Sequence, residues 1–120
     1  MTHFDRQVRP FVEAELEAAA KAGLLGNDYG AFVHLERAHV LGQSSTTLHV
    51  RVHWQMFRWG ARRGNWREML GQLLRIIGAA TKTAMGLVPQ GNTGGTNVSP
   101  LRRMEVPPDL AEIIDRARAR

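Results

Sequence analysis

Two Gly-Asn pairs, at 26–27 and 64–65, cut the first 85 residues into stretches that each repeat apolar residues at helical spacing. Glycine supplies the left-handed residue that ends a helix, and asparagine caps the start of the next. A chain punctuated in this way should fold into consecutive helices joined by tight turns. The first stretch, "RPFVEAELEAAAKAGLLG", is rich in Ala, Leu and Glu, all strong helix formers. Pro10 suits its first turn, with Phe4 and Asp5 as a lead-in and Gly26 as the stop. The second, "NDYGAFVHLERAHVLG", starts at Asn27 or Asp28 and stops at Gly42; Ala31, Leu35 and Ala38 form one stripe, flanked by Phe32 and His39. The third runs from about Thr46 to Arg63 behind Ser44 or Ser45. The fourth opens on Asn65 and Glu68, spaced like a capping box, and continues to Gly86. Gly71 and Gly78 share one face of it, where a neighbouring helix could approach closely.

Beyond Gly86 the period stops. "GLVPQGNTGGTNVSPLRRMEVPP" is full of Gly, Pro, Asn, Thr and Ser, and it is long for a loop inside a small domain. Leu87, Val88, Val98, Leu101, Met104 and Val106 could anchor it to the helices, and a short helix follows with Pro108 in its first turn and Leu110, Ile113 and Ile114 on its apolar face. The expectation is therefore a single all-α domain over 1–120. It comprises a helical array over 10–85, an ordered Gly/Pro/Asn-rich loop over 86–107 and a C-terminal helix over 108–118.

The 120 residues suffice for one core, and a hydrophobic share of 43% argues against wholesale disorder. Cysteine is absent, which excludes disulfides, cysteine zinc sites, iron–sulfur clusters and a thiol nucleophile, and fits a reducing cytoplasm. "MTHFDRQVRP" has neither the basic start nor the apolar run of a signal peptide, and no window is apolar enough to span a membrane, so neither export nor membrane insertion is expected. Lys+Arg outnumber Asp+Glu 16 to 11, and lysine occurs only at 21 and 82. That balance favours anionic partners, although an arginine bias also follows from codon preference.

The chemistry concentrates in "HVRVHWQMF", residues 49–57. On a helix His53 lies about 40° from His49, and Met56 and Gly60 about 20° from it. Arg51, Gln55, Arg58 and Arg62 fall on the opposite side, so both histidines point inward. An i, i+4 pair is the usual helical presentation of two metal-binding imidazoles. A complete site needs three or four ligands. His34 and His39 in the preceding helix are about 140° apart, so one of them can join the pair. His39 lies beside the apolar stripe and close in sequence to His49. The candidate set is His39, His49 and His53, with Met56 or Glu36 as a fourth ligand, for Zn, Ni, Co or Cu; a thioether from Met56 would point to Cu(I). Two other readings stay open, hydrogen-bonded packing histidines and proton transfer.

Elsewhere the signals are weaker. "QGNTGGTN", with Lys82 before it, could form an anion nest from Lys82, Asn92, Thr93 and Asn97, but it lacks the "GK[ST]" of a phosphate loop. Trp54, Trp59 and Trp66 interleave with arginines as in single-strand binders, yet Trp59 points to the buried side, Trp66 falls at a packing position and no nucleic-acid motif is present. Glu13, Glu15 and Glu17 read as a solvated face. No nucleophile or carboxylate pair suggests an enzyme.

Two resemblances add to this. The units beginning "AKAGLLGNDYG" and "RWGARRGNWRE" resemble tetratricopeptide hairpins, with Gly26 as the turn glycine, Ala31 and Ala38 at the small positions and Leu35 at the large one. The second unit departs from the pattern, because Met69 and Ile76 replace the small residues and the "GQSSTTL" connection is longer. This resemblance implies two antiparallel hairpins and a protein partner or a homodimer. Most of the chain also resembles a small bacterial family catalogued as a domain of unknown function, through "HLERAHVLGQ" followed by "HVRVHW", and through "GAATKTAMGLVPQGNTGGTNVSP". That second resemblance implies genes beside heavy-metal efflux and resistance functions. Two functions are carried forward: a cytoplasmic metal-handling accessory protein, and a tetratricopeptide-like interaction module whose histidines only pack.

Overall fold

The first helix starts about two turns before Pro10. In the computed structural model, which describes residues 2–84, 90–99 and 102–119 (side chains of 82–84 excepted), α1 spans His3–Leu24. The Thr2 hydroxyl accepts from the Asp5 amide and the Asp5 carboxylate accepts from the Thr2 amide, both at 3.1 Å. This reciprocal capping box starts the helix early, so Phe4 and Asp5 belong to it and Pro10 sits in its interior. The missing Pro10 N–H leaves one carbonyl without its helical donor. Pro10 is exposed, and water can serve that carbonyl.

The remaining helices begin at the residues the sequence marks. Asn27 caps α2 (Asp28–Gly42) through a 2.9 Å bond from the Gly30 amide, and Ser45 caps α3 (Thr46–Arg62). Gly26 and Gly64 turn the chain at φ +78° and +67°. Asn65 Oδ1 accepts from the Glu68 amide at 3.1 Å and opens α4 (Trp66–Ala84). The Glu68 carboxylate does not complete a capping box; it reaches Gln72 and the Thr96 amide instead. Pro108 occupies the first turn of α5 (Pro108–Arg118). All five helices described here are α, which makes the fold all-α.

Short connections pair α1 with α2 and α3 with α4 as hairpins, and α2 packs on α3. α5 returns to α1 and α2 and leaves α4 alone. The apolar core is built from Val8 and Val12 of α1, Leu35 and Leu41 of α2, Leu48, Val52 and Met56 of α3, and Leu110 and Ile114 of α5. Glu13 and Glu15 are not simply solvated. Glu13 pairs with Arg51, and Glu15 accepts from His34 and Arg37 at 2.8 Å each, bracing α1 against α3 and α2. Trp59 is buried as expected and donates to the Asp28 carbonyl at 2.9 Å.

α4 departs from expectation. Its inward side carries Glu68 and Gln72, both buried, while Trp66 is 66% exposed. Polar residues turn inward because they meet the buried histidines and the loop, which need hydrogen-bond partners. Gly71 is approached by that loop and not by a helix: a Cβ there would lie 2.1 Å from Thr96 Cγ2. A Cβ at Gly78 would meet nothing within 4 Å among the described residues, whereas Gly60 lets α4 close on α3, with Glu68 Cβ 3.2 Å from a Cβ placed there. Gly86 and the anchors Leu87, Val88 and Leu101 lie outside the described residues; Val98, Met104 and Val106 are partly buried. Among the described residues, no helix is long and apolar enough to cross a membrane.

Candidate metal centre

His39 lies in the last turn of α2, and His49 and His53 lie one turn apart on α3. The short Gln43–Ser45 connection folds α3 back along α2 and brings the three rings together. All three are buried. His39 Nε2 is 2.9 Å from His49 Nε2 and 3.1 Å from His53 Nε2. One ligand atom from each histidine lies within 4.8 Å of the others, and this triad is the single such group among the described residues.

The outer nitrogens decide the chemistry. His39 Nδ1 is 2.6 Å from the Asn92 backbone carbonyl, which can only accept, so Nδ1 carries the proton. His53 Nδ1 is 2.5 Å from Gln72 Oε1. The orientation of the Gln72 amide is fixed from its other end, where Nε2 donates to the Gly94 carbonyl at 2.9 Å and to Glu68 Oε2 at 3.4 Å. His53 Nδ1 must therefore also carry its proton. In their neutral forms, His39 and His53 consequently turn two Nε2 lone pairs toward each other. A cation or a shared proton at that point makes the contact favourable; without one the lone pairs repel. Ligating histidines usually donate the other ring N–H to a carbonyl or similar acceptor, which fixes the tautomer.

Electrostatics keep His39 and His53 neutral. Burial pushes the His39 imidazole well below the ordinary histidine range, and the neighbouring His53 and His49 add to this. Burial also pushes His53 down, to about 4, assisted by the Arg75 charge and resisted by Gln72. Neutral imidazole is the form that binds metal, so protons compete little here near neutral pH.

The loop closes over the rings. Asn92 is buried and organises the segment: its amide donates to the Ser99 and Arg102 carbonyls at 2.8 and 2.7 Å, and its Oδ1 accepts from the Gly94 amide at 2.9 Å. Gly94, at φ +84°, passes so close that a Cβ would lie 2.5 Å from His39 Cδ2.

A family model described as "Protein of unknown function (DUF3703)" matches residues 6–114. The chain belongs to the DUF3703 family. No curated protein and no solved structure matches it. The DUF3703 match takes in every residue of the centre and both stretches that carry the sequence resemblance. In the fold these stretches are one site: the first supplies the histidines, and the second wraps them with Asn92 and Gly94.

In this DUF3703 protein His34 faces Glu15, away from the centre. Met56 is fully buried within the apolar core. Glu36 is half-buried and bonded to Thr93; burial raises its pKa, and the Glu68 charge adds to the rise. Of the residues read as an anion nest, Asn92 spends its side chain inside the loop, Thr93 meets Glu36, Asn97 is exposed, and the Lys82 side chain lies outside the described residues. Sequence reasoning missed Gln72, Glu68 and Gly94. A signal for Gln72 existed, a lone amide inside the apolar run "MLGQLLRII".

Proposed function

We propose that His39, His49 and His53 bind one transition-metal ion, and that the protein is a metal-handling accessory protein of the cytoplasm. The supporting observation is the pair of Nε2 lone pairs held face to face by acceptors on the opposite ring nitrogens. Zn–N bonds of 2.0–2.1 Å in a tetrahedron place nitrogens about 3.3 Å apart. The 2.9 and 3.1 Å separations need to open by only a few tenths of an ångström. Three imidazoles suit Zn, Ni, Co or Cu and leave a position for water or for the Met56 thioether. Burial of all three rings favours retention over rapid exchange.

Metal content and affinity of untagged protein test this. One ion per chain is expected, lost in the His49→Ala, His53→Ala double variant; an unchanged uptake in that variant would move the site elsewhere. Gln72→Leu removes the acceptor that fixes the His53 tautomer and should weaken zinc affinity by about 10–100-fold. Competition with a chelating dye reads this directly, and an unaltered affinity would mean that Gln72 plays no part. The interaction-module reading draws on a different observation, the exposed face of α4 described next.

A further inference from the structure

α4 is amphipathic in the opposite sense to a helix that seals a core. Its polar side faces inward, and Trp66, Leu70, Leu73, Leu74 and Ile77 are 66%, 51%, 48%, 63% and 65% exposed. At about 100° per residue these five side chains fall within a 100° arc, opposite Glu68 and Gln72. Together they offer on the order of 600 Å² of apolar surface, the upper end of what a lone monomer exposes and close to the roughly 800 Å² that each partner contributes to a stable interface. α5 leaves this end of the array uncovered and packs on α1 and α2.

The pattern indicates what covers it. Trp66, Leu70, Leu73 and Ile77 are spaced four, three and four residues apart, the alternation of a coiled-coil seam. The spacing reads the same in both directions. An antiparallel pairing of two α4 helices therefore sets Trp66 of each copy against Ile77 of the other, and Leu70 against Leu73, every contact occurring twice. The stripe itself carries no charged side chain. Arg67, whose guanidinium lies 5.7 Å from the Trp66 ring centroid, flanks its N-terminal end. Antiparallel pairing keeps the two Arg67 charges apart, whereas parallel pairing would bring them together. We propose that this face binds a second copy of the chain, α4 against α4, antiparallel about a two-fold axis between Gly71 and Gln72.

Sedimentation equilibrium on the full chain at about 50 µM should give twice the 13.4 kDa chain mass. A Leu73→Glu, Leu74→Glu variant should raise the dissociation constant at least about 100-fold, with unchanged helicity and zinc uptake because both residues are exposed. Cross-linking tests the register independently, since the chain has no cysteine of its own. Trp66→Cys mixed with Ile77→Cys should form disulfide-linked dimers. Either variant alone should not, because its two thiols would lie about 16 Å apart along the pair. A monomeric wild type, which would leave the face to a different partner, overturns the proposal. So does efficient cross-linking of Trp66→Cys alone.

Discussion

Metal-free protein should lose stability as the pH falls from about 6.5 toward 4, with His53 alone contributing a loss on the order of 3 kcal/mol. Burial lowers the pKa of His39 and His53 in the fold, so the unfolded chain takes up protons that the native state refuses. Stability from these groups is complete above the unfolded histidine value. It declines as the pH passes below that value, and the His53 contribution is exhausted near pH 4. Two carboxylates titrate lower. Glu13 and Asp109 are held below their ordinary values by hydrogen bonds from Arg51 and Arg37, so their loss begins only near and below the carboxylate range. Half-buried Glu36, pushed upward, acts in the opposite sense and opposes the decline at the acid end. The decline that begins near pH 6.5 is therefore carried by His39 and His53, net of the opposing Glu36 contribution. Urea unfolding across that decline should show the slope, and it should flatten in a His39→Gln, His53→Gln variant. A flat wild-type profile would mean that the rings protonate within the fold.

Gly94→Ala should be the most damaging single methyl addition near the centre. The new Cβ would lie 2.5, 2.7 and 2.8 Å from Cδ2, Cγ and Nε2 of His39. The ring is held in place, because Nδ1 is bonded to Asn92 and Nε2 meets His49 and His53. The φ of +84° adds strain for any residue with a Cβ. Strain and overpacking together cost about 2–4 kcal/mol, a fall in Tm of roughly 8–16 °C for a chain of this size. The same displacement takes Nε2 off the convergence point, so zinc affinity should fall as well. Gly78→Ala is the control: among the described residues its Cβ would meet nothing within 4 Å, and in a helix interior alanine should stabilise by about 0.5–1 kcal/mol. Thermal melts and zinc titrations of both variants check this. Gly94→Ala behaving like Gly78→Ala would place the loop away from His39.

The legible parts of the fold were those set by local chemistry. Asn27, Ser45 and Asn65 cap helices through bonds reaching three residues along the chain, so sequence spacing identifies them. Thr2 and Asp5 carry the same signal, but the preference of Pro10 for a first turn obscured it. His49 and His53 share a face by helical period alone, and His39 follows from the short connection. The supporting shell was hidden because it depends on backbone meeting side chain across long separations, as in Asn92 carbonyl to His39 and Gly94 carbonyl to Gln72. The glycines of "QGNTGGTN" resemble an anion nest in sequence; in the fold, Gly94 provides the close approach to His39. α4 misled for a related reason. Its period is clear, but which side faces inward is set by the polar needs of the histidine cluster, and Trp66, at a packing position in the repeat pattern, is exposed.

The most direct test is a zinc titration of metal-free, untagged protein followed by calorimetry, with His39→Ala alongside. One ion per chain is expected, with a loss of affinity in His39→Ala greater than the 10–100-fold expected for a supporting residue. Melting should rise by an amount worth about 4 kcal/mol at a thousandfold excess over Kd. No uptake, with identical melting in the presence and absence of zinc, nickel, cobalt and Cu(I), would contradict a metal centre and leave three histidines that only pack.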